Sequence, residues 1–222
     1  MRKTLCLLVF TSLAFGGEIH QVSNNLMPIE AGIVKQSLAS QTPSYQDEGG
    51  SGWWWCGHAA VATAINQLRQ ESVTQAEKIV QLDWIHERLK ERETEYQVNN
   101  PHREASIDWL NKWMRDEKDD DFICAKYYNT DREKVKQAMF GKLDSNHYLV
   151  ALSGITINGT TYGHFYVVFK IWFEPTHSQG GEAKVIDPYS GTIKNIGFKT
   201  LLDGMKDFGT QGLYSFLYIR NK

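Results

Sequence analysis

The sequence predicts an α+β fold, a helical front packed on a C-terminal antiparallel β-sheet. Three observations lead there. Apolar residues recur at helical spacing through most of the first two thirds of the chain. From His147 to Arg220 the runs turn rich in β-branched and aromatic residues. Between two such runs sits Asn158-Gly159, a pair that accepts the positive φ of a tight hairpin turn.

The elements follow in chain order. Met1-Arg2-Lys3, the apolar run Leu5 to Phe10 and the small residues Ala14 and Gly16 make residues 1–16 a secretory signal peptide. The run is too short to span a bilayer. Residues 17–45 read as an N-terminal arm, and Asp47-Glu48-Gly49-Gly50-Ser51-Gly52 continues it as a flexible loop. A single domain, 46–222, follows, a size suited to one core around one cleft.

From Cys56 the pattern is helical, with Ala59, Ala60, Ala62, Thr63 and Leu68 in register. Thr74-x-x-Glu77 is a capping box, and Ile79, Leu82, Ile85, His86 and Leu89 line one face of the helix behind it. Ile107, Leu110, Trp113 and Met114 mark a third helix, and Thr130-x-x-Glu133 opens a fourth. Strands are predicted from His147 to Gly154, Gly163 to Phe173, Ala183 to Asp187 and Leu213 to Arg220, with a short helix near 198–206.

Charge narrows the function classes. Loss of Arg2 and Lys3 with the signal takes the formal charge from −2 to −4, with no basic block. Nucleic acid is therefore not an expected partner. After signal cleavage no membrane contact is expected, and the protein is placed in the periplasm or secreted. Two cysteines remain, Cys56 and Cys124, and in an oxidising compartment they could simply pair.

The setting of Cys56 points to chemistry instead. It lies where a Gly-rich loop and three tryptophans turn into a helix. The unpaired N–H groups and positive dipole end there favour the thiolate, the attacking species. A nucleophile of this kind needs a base, and His164 is best placed, held on a strand just past the hairpin turn. His147 is the reserve. His86 falls on an apolar helix face and reads as packing, His58 lies awkwardly in the first helical turn, and His20, His102 and His177 sit in polar segments. Asp187 ends a strand before Pro188 and would orient the imidazole if its strand neighbours that of His164. Gln46 and the Cys56 backbone N–H are the expected oxyanion donors, with Gln41 further off.

Tyr45-Gln46-Asp47, Cys56-Gly57-His58-Ala59-Ala60, Gly163-His164-Phe165-Tyr166-Val167-Val168 and Val185-Ile186-Asp187-Pro188-Tyr189-Ser190-Gly191 resemble, in this order, the motifs of papain-like cysteine peptidases. The similarity is to stand-alone relatives of the bacteriocin-processing, double-glycine leader peptidases. It implies that Gln46 assists the oxyanion hole, Cys56 attacks, His164 is the base and Asp187 its orienter. It also implies a papain-like fold and a peptide or protein substrate. One departure is His58, where that family often has proline.

Other readings stay open at this point. A papain-fold transglutaminase or deamidase-type toxin would use the same groups, and a non-catalytic binding module would tie Cys56 to Cys124. No cofactor or metal is expected. Cys56, His58, His164 and Asp187 could ligate zinc in principle, but lack a close-spaced ligand pair. The acidic run 116–121 lacks the glycine and spacing of a calcium loop. Trp53, Trp54 and Trp55 cannot all face one way, so at least one belongs in the core.

Overall fold

A computed structural model of the chain describes residues 20–44, 55–91, 110–111, 122–208 and 212–222. The elements are β1 (His20–Ser23), α1 (Cys56–Arg69), α2 (Gln75–Glu91), β2 (Phe122–Asn129), α3 (Arg132–Asp144), β3 (Tyr148–Ile157), β4 (Thr160–Phe173), β5 (Gly181–Asp187), β6 (Thr192–Gly197), α4 (Phe198–Phe208) and β7 (Tyr214–Asn221). The fold is α+β, with one antiparallel sheet in the order β2-β7-β3-β4-β5-β6. β1 pairs with Lys170–Phe173 of β4, beyond the point where β3 leaves it.

The sheet is covered on both faces. Val150, Phe165, Val167, Phe169, Ile186 and Leu217 pack with α1 and α2. Leu149, Ala151, Tyr166, Val168, Val185 and Phe216 pack with α3 and α4. This explains why Phe165 to Phe169 is apolar without a break, where a sheet wetted on one side would alternate. Burying each such side chain contributes about 2 kcal/mol. Helix α1 is buried along nearly all its length, and its alanines, Ala59, Ala60, Ala62 and Ala64, let it lie close to the sheet.

The hairpin is as predicted. Asn158 and Gly159 take φ of 50° and 80°, and Ile157 pairs with Thr160. The capping box at Thr74 is also present: its N–H and hydroxyl both donate to Glu77 Oε2 at 2.7 Å.

Several expectations need correction. Asp131, not Thr130, caps α3, accepting from the N–H groups of Glu133 and Lys134, because a carboxylate satisfies both donors at once. Strands β2 and β6 were not expected: β2 carries lysine and cysteine among its tyrosines, and β6 is largely exposed. The helical front is therefore interrupted by β2. The arm is no loose extension. Gln67 of α1 exchanges hydrogen bonds with the backbone of Ile29 at 2.6 and 2.7 Å, and Val34, fully buried, donates its N–H to Thr63 Oγ1 at 2.9 Å. Gln36 then donates its N–H to Pro188 O at 2.9 Å. A chain that adds a strand to β4 and straps α1 to the turn after Asp187 belongs to the core. The signal segment, the 47–52 loop, most of the third helix and the acidic run lie outside the described residues. Among the described residues no helix is long and apolar enough to cross a membrane.

Candidate active site

Cys56 is the first residue of α1, and the residue before it, Trp55, supplies no side-chain cap. The N–H groups of Phe165, Gly57 and Cys56 itself favour its thiolate. Burial works against them and is the larger effect, and the charge of Asp187 adds to it. The thiol is pushed up to about 11. The helix terminus acts in the direction the sequence predicts, but Cys56 is buried, the residue only 7% exposed, and rests as the neutral thiol.

His164 is the fifth residue of β4 and is buried. Across the ladder it faces Ser153, whose hydroxyl donates to Leu201 O of α4 at 3.2 Å. Its ring meets Tyr166 edge to face, with centroids 4.7 Å apart, and Tyr189 at 6.4 Å. These contacts leave the imidazole little freedom to turn.

Asp187 closes β5, and β5 neighbours β4 through Val167–Ile186. Its Oδ1 lies 2.7 Å from His164 Nε2 and accepts the Tyr189 N–H at 2.9 Å. Oδ2 accepts from Ser190 Oγ at 3.0 Å and Lys194 Nζ at 2.8 Å. Burial alone would raise this carboxyl, yet the hydrogen bonds and charges of His164 and Lys194 hold it well below the usual carboxylate range. An ionised Asp187 can only accept, so Nε2 of His164 carries a proton, and in the neutral tautomer this leaves the lone pair on Nδ1.

The structure thus brings His164 and Asp187 into contact. It sets the Cys56 sulfur against the backbone of Phe165, the residue after His164, within electrostatic reach of Asp187. Gln46 lies outside the described residues. His147 is not drawn in: its Nδ1 pairs with Lys142 O at 3.0 Å and its ring meets Tyr218. His177 organises its own turn, accepting from Gln179 and Gly181 N–H. Gln41 pairs with Gln75.

Sequence reasoning missed Lys194, because β6 itself was missed. The signal was there: a hairpin pairing Asp187 with Thr192 puts residues 192 and 194 on the Asp187 face of the ribbon. His58 is a second surprise. It and His86 stack on the buried Trp55, with centroids 5.0 and 4.4 Å from it. Among the described residues, both His58 nitrogens are buried without a hydrogen-bond partner, and burial, with help from His86, pushes its pKa down to about 3.

Cys56 and Cys124 are not joined in a disulfide. Among the described residues no group of three or more His, Cys, Asp or Glu side chains is set to hold a metal ion. No protein-family model and no curated protein matches the chain.

Proposed function

We propose that this protein is an exported cysteine peptidase of papain-like architecture, hydrolysing peptide bonds through Cys56, His164 and Asp187. One observation carries the reading: a buried His164–Asp187 pair at 2.7 Å, next to a cysteine at a helix N-terminus that touches the following residue's backbone. Asp187 holds the Nε2–H tautomer, so Nδ1 accepts the Cys56 proton as sulfur bonds to the substrate carbonyl carbon. The backbone N–H of Cys56 and the side chain of Gln46 stabilise the oxyanion. The imidazolium then returns its proton to the departing amine, leaving a thioester, and water activated by His164 releases the acid and restores the thiol. Because the resting thiol is neutral, His164 acts as a true general base, and the thiolate arises during attack.

The binding-module alternative required a Cys56–Cys124 bridge, and neither cysteine is in one. Transfer to an amine, or deamidation, would use the same groups. The test is Cys56→Ala. Incubated with unstructured peptides and read by mass spectrometry, the wild-type protein is expected to give cleavage products. The variant should give none while keeping its circular dichroism. Equal cleavage by both proteins would refute the reading, and a cross-linked or deamidated product would redirect it.

A further inference from the structure

We propose that Lys194 is a positioning residue of this site: it anchors the Asp187 carboxylate and supplies the charge that makes the thiolate–imidazolium state of the buried cluster neutral. The inference rests on the cysteine-hydrolase reading.

Geometry comes first. Lys194 Nζ and Ser190 Oγ hold Oδ2 of Asp187 at 2.8 and 3.0 Å, which turns Oδ1 toward His164. The ammonium also lies 5.0 Å from the Tyr166 ring centroid, and that same ring packs edge to face on His164. Lys194, Tyr166, His164 and Asp187 therefore close a ring of contacts, so a displaced lysine would loosen both supports of the imidazole. Its side chain is 33% exposed against 1% for Asp187, so the stem reaches from the surface down to the carboxylate.

Charge comes second. During attack the site holds a thiolate, an imidazolium and a carboxylate, a net charge of −1. Buried net charge is costly. Lys194 brings the sum to zero and offsets the repulsion that Asp187 exerts on the sulfur. Among the described residues, the titratable groups that interact with the carboxylate are His164, Lys194, Cys56 and Tyr166. Lys35 lies over the neighbouring Gly191 with its aliphatic stem.

The experiment measures the rate of Cys56 alkylation by iodoacetamide against pH, in the full chain, for wild type, Lys194→Arg, Lys194→Gln and Lys194→Met. A Cys56→Ser protein supplies the background from the other cysteines. Loss of the charge should move the profile up by about one pH unit, a roughly tenfold slower reaction at neutral pH. Arginine should restore it. Glutamine keeps a donor but no charge, so it should shift like methionine, and it carries the test if the methionine variant does not fold. A profile unchanged in the glutamine variant, with wild-type peptide cleavage intact, overturns the role of Lys194 alone. Absence of both Cys56 labelling and peptide cleavage in the wild type overturns the hydrolase reading, and this inference with it.

Discussion

Replacing Asp187 by Asn removes one buried charge at almost constant volume, and the consequences can be worked from four contacts. The carboxylate accepts from His164, Tyr189, Ser190 and Lys194. An amide has one accepting side only. If its oxygen keeps His164 and the Tyr189 N–H, its NH2 faces Lys194, donor against donor. The Ser190 hydroxyl can rotate to accept, so the lysine contact is the one that must fail. Breaking a buried ion pair from one side costs about 3–5 kcal/mol. Lys194 is partly exposed and can carry its ammonium into water, so we expect the low end or less, about 2 kcal/mol.

The pH dependence has a defined sign. The folded-state pKa of Asp187 is depressed, so its contribution is complete above the unfolded value, about 4, and fades as pH falls below it. Urea unfolding should therefore separate wild type from Asp187→Asn most at neutral pH and less at pH 3, the gap closing only as pH falls through the depressed folded value. Peptide cleavage at neutral pH should fall by roughly 10²–10⁴, since the base loses its fixed tautomer. A stability difference that is absent at neutral pH, or the same at both pH values, would refute the reasoning.

His58→Phe tests the stack beside the nucleophile. Phenylalanine keeps a flat ring against Trp55 and removes two buried nitrogens that find no partner among the described residues, so it should stabilise the protein at neutral pH by about 1–2 kcal/mol in urea titrations. Because the folded His58 pKa is depressed to about 3 from 6.5, wild-type stability is lost as pH falls through that window, and the variant should lose less. Thr63→Val tests the strap formed by the arm. It leaves the buried Val34 N–H without its 2.9 Å acceptor and should cost about 1–3 kcal/mol by thermal or urea unfolding. An unchanged stability would mean that the arm does not hold α1.

Local chemistry decided what could be read from the chain alone. Asn158-Gly159 dictated the hairpin through its tolerance of positive φ, and Thr74 with Glu77 closed a box that needs nothing beyond three residues of chain. The hairpin sets His164 on its strand, and the proline after Asp187 ends the next one. That these two strands neighbour each other was only a condition of the reading, and the folded ladder meets it.

What tertiary structure decided is what depends on covering and pairing. The arm has little periodic pattern, and only docking on α1 and β4 makes it structured. Strand β6, and Lys194 with it, takes its form from pairing with β5 instead of from its own residues. The same holds for the state of Cys56. A helix N-terminus pulls toward thiolate in any sequence, but how much water reaches the sulfur is a property of the packed molecule, and here burial outweighs the pull. A chain can spell out hydrogen bonds between near neighbours, whereas desolvation is set by segments remote in sequence that meet only on folding.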